Sequence, residues 1–85
     1  MKKFEDLQFE KHPTGFGKHA KMEFKNGYGI SVVFGNQWYS NGIDTYEIAI
    51  SKDGRLTYST HITDDVLGYQ TKQEVSEIMK QVQEL

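Results

Sequence analysis

The strongest constraint on this chain is a pair of glycine turns, Asn26-Gly27 and Asp53-Gly54, each of which separates two runs of alternating apolar and polar residues. Asn-Gly or Asp-Gly between alternating runs is the strongest local signal for a β-hairpin. Alternation also fixes how the strands pair, because a shift of one residue would turn every side chain to the opposite face of the sheet. The sequence therefore predicts two antiparallel hairpins within 85 residues.

The apolar residues of the first hairpin decide the length of its turn. A two-residue turn would place Phe24 and Tyr28 on opposite faces of the sheet. A three-residue loop instead pairs Phe24 with Tyr28 and Met22 with Ile30, so that the apolar side chains share one face. This loop predicts a type I turn followed by a G1 bulge, with Gly27 in the left-handed conformation.

The same spacing in the second hairpin predicts the same kind of turn. A three-residue loop over residues 52–54 would leave Gly54 left-handed. The apolar side chains would then face one another across the two strands, with Tyr46, Ile48 and Ile50 opposite Leu56, Tyr58 and Thr60. We expect the second hairpin to bury these residues on the same face as the first.

The segments that flank the hairpins carry weaker patterns. Leu7 and Phe9 alternate with polar residues and indicate a first strand that turns back through residues 13–17. Residues 63–68 predict a single helical turn. Thr63 would cap its start and Gly68 would end it.

The C-terminus has the pattern of an amphipathic helix. Thr71 and Glu74 have the spacing of a capping box, in which each side chain binds the backbone N–H of the other residue. Apolar residues follow at helical spacing and form one stripe, consisting of Val75, Ile78, Met79, Val82 and Leu85. A helix of about 15 residues is roughly 22 Å long, which is enough to cover one face of a short-stranded sheet.

Together these elements predict an α+β fold, an antiparallel β-meander of four to five strands with one amphipathic C-terminal helix packed on one face. Residues 1–85 would form a single domain, because a chain of this length has room for one core. The sheet face away from the helix would be polar and solvated, carrying Lys21, Glu23, Ser31, Glu47, Ser51, Thr57, Ser59 and His61.

Composition excludes several classes of function. The chain has no cysteine, which excludes thiol catalysis and a zinc ribbon and fits a reducing cytosol. No apolar run approaches the roughly 20 residues that span a bilayer, and the first six residues lack the apolar segment of a secretion signal. We therefore expect a cytoplasmic protein without a membrane partner. With a net charge of −2 and no dense basic stripe, nucleic acid is not an expected partner either.

If the tight turns lie at one end of the sheet, the long connections gather at the other end, where binding sites are usually found. The loop over residues 35–44 carries the only tryptophan, Trp38, beside Tyr39. Trp38 would either fill the end of a thin core or contact a partner. The candidate partner-binding residues at this end are Trp38, Tyr39, Asn36, Asn41, Phe16 and Lys18.

Other patterns suggest specific chemistry but fit it poorly. Residues 15–20 match a Gly-x-Gly-x-x-Ala dinucleotide motif, yet a strand rather than a helix is predicted to follow. A loop that binds a nucleotide phosphate through its backbone N–H groups and Lys18 is the alternative. His12, His19 and His61 lack the spacing of metal ligands, and there is no nucleophile elbow. We therefore predict no catalytic residue, no metal site, no cofactor and no enzymatic activity.

Three stretches of the sequence are distinctive: FEDLQF at 4–9 with the following His12-Pro13, NGYGISVV at 26–33, and ITDDVLGY at 62–69 with the following Glu74-Val75. Together they resemble a family of small uncharacterised proteins encoded by bacteriophages and prophages. The resemblance covers most of the chain and implies the cytoplasm of a bacterial host. The resemblance implies no known biochemical activity, and it therefore identifies no catalytic or binding residue.

Small phage proteins without catalytic motifs often act by binding a host protein, and many block a defence system. The resemblance thus implies an accessory protein that binds a host or defence protein stoichiometrically, for example an anti-CRISPR-like counter-defence inhibitor. A small-ligand or nucleotide-sequestering protein is the alternative, and a phage structural or assembly protein is a third hypothesis. The half-open sheet face also permits a homodimer.

Overall fold

The computed structural model describes residues 1–85 and has an α+β fold. Its elements are a 3-10 helix (Phe4–Asp6), strands β1 (Glu10–Lys11), β2 (Lys18–Glu23), β3 (Tyr28–Phe34), β4 (Tyr46–Lys52), β5 (Arg55–Thr57) and β6 (Leu67–Gln70), and helix α1 (Lys72–Gln83). Strands β1 to β5 form an antiparallel meander in chain order, and β6 pairs with β4. The predicted architecture of an antiparallel sheet with a C-terminal helix packed against it is confirmed.

The first hairpin has the predicted register. Met22 pairs with Ile30, and the backbone N–H of Phe24 donates to the carbonyl oxygen of Tyr28 at 2.7 Å. Gly27 has a φ of 86°, which is the left-handed conformation that the three-residue loop requires. Alternation alone was therefore sufficient to place this pair of strands.

The predicted register of the second hairpin is wrong by one residue. Lys52 pairs directly with Arg55, so the turn contains only Asp53 and Gly54. Their φ values of 52° and 83° are typical of a two-residue type I′ turn. Leu56 consequently lies on the outer face of the sheet, where it is 55% exposed.

The side chain of Asn26 explains why two similar turns differ. Its Nδ2 donates to the carbonyl oxygen of Val82 in α1 at 2.9 Å, and its Oδ1 accepts the backbone N–H of Tyr28. Asp53 has no such anchor on the helix and takes the left-handed conformation itself. The shift also places Thr57 opposite Ile50, on the inner face rather than the predicted outer face.

Two further predictions in the flanking segments are wrong. Residues 63–68 do not form a helical turn; Thr63 Oγ1 instead accepts the backbone N–H of Asp65 in a local turn, and the chain then enters β6. The first strand is shorter than predicted and begins only at Glu10. Leu7 is buried in the core and Phe9 packs against it, so this segment leaves the sheet to cover the inner face.

The core lies between the inner face of the sheet and α1. Its fully buried side chains are Ile30, Val32, Ile48, Ile50, Val75, Met79 and Val82. The apolar stripe of the helix therefore packs as predicted, although α1 has 12 residues rather than about 15. No helix of this structure combines the length and the apolar character needed to cross a bilayer.

An aromatic cluster closes the core at the end where the long loops lie. The ring of Tyr46 is 5.1 Å from that of Phe4, 5.6 Å from that of Phe9 and 5.1 Å from that of Phe34. Burial, and secondarily the negative charge of Asp44, raises the pKa of the Tyr46 hydroxyl above its ordinary value. Tyr46 is therefore a neutral core residue throughout the physiological pH range.

We expect Thr71→Ala to lower the free energy of unfolding by about 1 kcal/mol, because it removes the helix N-cap. Thr71 Oγ1 accepts the backbone N–H of Glu74 at 3.3 Å, and Glu74 Oε1 accepts that of Thr71 at 2.9 Å. Urea denaturation measures the change, with Gln73→Ala in the same turn as the control. Equal unfolding midpoints for the two variants would show that the capping box contributes nothing.

Candidate functional site

The long connections meet at one end of the sheet, as predicted. At the opposite end the two tight turns touch, and the backbone N–H of Asp53 donates to the carbonyl oxygen of Gly27 at 2.9 Å. The loop over residues 35–45 contacts two neighbours, the β1–β2 loop on one side and β6 on the other. This loop is therefore the centre of the candidate site.

Ser40 organises the loop from inside. It is only 4% exposed, and its Oγ accepts the backbone N–H groups of Gly35 at 3.2 Å and Gly42 at 3.1 Å. The same hydroxyl donates to the carbonyl oxygen of Thr45 at 2.6 Å. One buried hydroxyl thus joins the beginning, middle and end of the loop. Nothing in the sequence distinguishes Ser40 from the other serines.

Asn41 has a similar structural role. Its Oδ1 accepts the backbone N–H groups of Ile43, Asp44 and Thr45 at 2.9 to 3.1 Å. Its Nδ2 donates to Asp44 Oδ1 at 2.7 Å. The amide of this candidate residue is already engaged inside the loop, whereas Asn36 is exposed beside it.

Trp38 faces the β1–β2 loop. Its ring is half-buried and lies 4.5 Å from that of His12, measured between centroids. A Cβ added to Gly17 would come within 2.6 Å of Trp38 Cζ3, so glycine is needed for this close approach. Trp38 therefore packs on the β1–β2 loop. The end of the core is closed instead by the aromatic cluster around Tyr46. Phe16, which is 60% exposed, and Lys18 lie on this side of the site.

Tyr39 faces the other way, towards β6. Its backbone N–H donates to Glu47 Oε1 at 3.0 Å, and its carbonyl oxygen accepts the backbone N–H of Tyr69 at 2.8 Å. A Cβ at Gly68 would lie 2.6 Å from the Cβ of Tyr39, so the two backbones are in close contact. Three neighbours thus hold Tyr39 in place.

Tyr69 is the residue that sequence reasoning missed. Tyr46 pairs with Gln70 and Ile48 with Leu67, so a bulge sets Gly68 and Tyr69 opposite Glu47 alone. Bulges redirect side chains, and Tyr69 has a φ of 55°, a conformation that non-glycine residues rarely adopt. Its ring points outward and is 58% exposed.

Tyr39 and Tyr69 form an exposed aromatic pair. Their ring centroids are 6.3 Å apart with an angle of 55° between the planes, and Tyr39 is 59% exposed. We call these two residues and Glu47 the tyrosine site. The structure therefore separates the predicted aromatic and basic residues. Phe16, Lys18 and Trp38 lie near β1 and β2, whereas Tyr39 lies near β4 and β6, beside the unpredicted Tyr69.

Comparison with protein families, with characterised proteins and with solved structures finds no match to this chain. No group of three or more His, Asp or Glu side chains is placed to share a metal ion. The function is therefore inferred from the surface geometry.

Proposed function

We propose that the protein acts by stoichiometric binding to another protein through the end of the sheet that carries the tyrosine site. Within this proposal it is a phage or prophage accessory protein, and its partner is a host or defence protein, as for an anti-CRISPR-like inhibitor. The observation that supports it is the exposure of two adjacent tyrosine rings, 59% for Tyr39 and 58% for Tyr69. Aromatic residues of this kind are the usual anchors of protein interfaces.

The backbone conformation of Tyr69 supports binding rather than chance exposure. A left-handed non-glycine residue costs about 1 kcal/mol or more, and such residues are concentrated at functional sites. Tyr69 keeps this conformation on the surface, where its ring fills no core space. The backbones of Tyr39 and Tyr69 are joined by a hydrogen bond, and backbone that is fixed before binding loses little conformational entropy when a partner docks.

The nucleotide alternative has weaker support from the geometry. In the Gly-rich loop the backbone N–H of Thr14 donates to His12 Nδ1, that of Gly15 to the carbonyl oxygen of His12, and that of Phe16 to Thr14 Oγ1. These N–H groups are therefore engaged and cannot surround a phosphate. The recess beside Lys18 holds about 190 Å³, below the roughly 300 Å³ of ordinary ligand pockets.

We expect Tyr39→Ala and Tyr69→Gly each to reduce capture of the partner at least tenfold, because truncation of an interface anchor costs about 2 kcal/mol or more. Glycine is chosen at position 69 because it accepts the left-handed conformation and leaves the fold unstrained. The experiment expresses tagged wild type and variants in a bacterial host and quantifies co-purifying proteins and small molecules by mass spectrometry.

Leu56→Ala is the matched control, because it removes an exposed apolar side chain beside the tight turns, at the far end of the sheet. A protein captured at near-equal ratio by wild type and Leu56→Ala, and lost from both tyrosine variants, would support the proposal. Undiminished capture by both tyrosine variants would refute binding through this site. A co-purifying nucleotide with no protein partner would favour sequestration instead.

A further inference from the structure

Resting on the proposed function, we infer that the tyrosine site binds a cationic side chain of the partner, specifically the guanidinium group of an arginine. The inference starts from the geometry of the two rings. The centroids of Tyr39 and Tyr69 are 6.3 Å apart, their planes are inclined at an angle of 55°, and both residues are more than half exposed. One cation in that angle can lie within about 6 Å of both centroids, the range over which aromatic faces attract cations.

Glu47 supplies the opposite charge. Its Oε1 accepts the backbone N–H of Tyr39, which fixes the carboxylate beside the aromatic pair. The other carboxylate oxygen accepts no hydrogen bond from the chain. A guanidinium group can donate to a carboxylate while its plane stacks on an aromatic ring, and an ammonium group cannot do both in this way.

The surrounding chain is negatively charged. Residues 26–51 contain Asp44 and Glu47 but no lysine or arginine, and residues 56–71 contain Asp64 and Asp65 and again no lysine or arginine. These two stretches supply the loop, β4 as far as Ser51, and β6, which build the tyrosine site. Such a surface favours a basic partner segment and speeds its association.

The basic residues of the protein lie away from the aromatic pair. Residues 1–25 contain six lysines, of which Lys11 and Lys18 lie on β1 and β2. Lys72 begins α1, and its Nζ lies 5.6 Å from the centroid of the Phe4 ring. Strand β3 separates β2 from β4 in the sheet. The one basic residue of β4 and β6 is Lys52, which lies at the tight-turn end of β4 with its Nζ 4.4 Å from the centroid of the Tyr28 ring. The position beside the aromatic pair is therefore left for a cation from outside.

The test uses the full chain and two peptides of equal length, tetra-arginine amide and tetra-citrulline amide, which differ in charge but have similar shape. NMR follows the ring resonances of Tyr39 and Tyr69 during each titration. We expect a saturable shift with tetra-arginine only. Glu47→Gln, which keeps an acceptor oxygen but removes the charge, should weaken the apparent affinity about twofold to fivefold, the size of an exposed charge interaction.

Tyr69→Gly should abolish the arginine-dependent shift of the Tyr39 ring, and Leu56→Ala should leave it unchanged. Equal shifts with both peptides, no saturable shift with either, or a response that Tyr69→Gly does not alter would overturn the inference. If tetra-arginine fails while the tyrosine variants still lose their captured partner, the proposed function stands and the partner chemistry is different. If tetra-arginine binds but no variant affects capture, the cation site is separate from the partner interface, which also overturns the inference.

Discussion

Gly17→Ala is expected to lower the free energy of unfolding by roughly 3 kcal/mol, because left-handed strain and overpacking act together at this position. Gly17 has a φ of 65°, which disfavours any residue with a Cβ. The added methyl group would meet the carbonyl oxygen of Phe34 and would lie 2.6 Å from Trp38 Cζ3. Neither neighbour moves easily, since one is strand backbone and the other is a large ring packed on His12.

Gly15→Ala in the same loop is the control, because it carries the strain without the clash. Its φ is 88°, yet an added Cβ would meet no atom within 4 Å. We expect it to cost about 1 kcal/mol, the range for one left-handed non-glycine residue. Urea denaturation of both variants separates the two contributions. Equal losses would contradict the close approach of Trp38 and the β1–β2 loop.

The Gly17 contact matters beyond stability, because it helps to set the position of the loop that carries Tyr39. Trp38 and Tyr39 are consecutive, and they pack on opposite sides of the loop. If Trp38 is displaced, the adjoining backbone of Tyr39 is pulled against its hydrogen bonds with Glu47 and Tyr69. Gly17→Ala should therefore also reduce the ring contact between Tyr39 and Tyr69, although Gly17 touches neither residue.

The local sequence pattern was enough to predict the elements whose conformation is set by residues close to one another in the chain. The first hairpin follows from alternation around Asn26-Gly27, and α1 follows from the Thr71–Glu74 box and its apolar stripe. The turn of the second hairpin could not be predicted in this way. The three-residue loop of the first hairpin is held by a contact between Asn26 and the helix, and the second hairpin has no such contact. Asn26 is anchored to Val82, which is 56 residues away in the chain, whereas Asp53 has no corresponding anchor.

Strand β6 was missed for a related reason. Residues 63–68 have the local composition of a capped turn, but their conformation is decided by pairing with β4 and by contact with Tyr39. Gly68 resembles a helix terminator in the sequence, while in the fold it makes room for the Tyr39 side chain. The sequence pattern consequently did not predict Tyr69 and Glu47 as site residues, although it predicted the neighbouring Tyr39.

Strand β4 supports the tyrosine site. It pairs with β3 on one side and with both β5 and β6 on the other. Ile48 lies at the centre of this strand, is fully buried, and pairs with Val32 and Leu67. Ile48→Ala is expected to lower the free energy of unfolding by roughly 3 to 4 kcal/mol, because it removes buried methyl groups and leaves a cavity. A domain of this size has only about 4 to 13 kcal/mol in total.

Ile43→Ala makes the identical chemical change at a position that is 80% exposed, so it should alter the unfolding free energy by less than about 0.5 kcal/mol. Urea denaturation gives both values, and hydrogen exchange of the β6 amides shows whether the loss of Ile48 also loosens the strand that carries Tyr69. If the two alanine variants were equally stable, Ile48 could not be a core residue and the support that β4 gives to the tyrosine site would be disproved. A large loss for Ile48→Ala with faster exchange in β6 would instead tie the ordering of the exposed aromatic pair to the packing of the core beneath it.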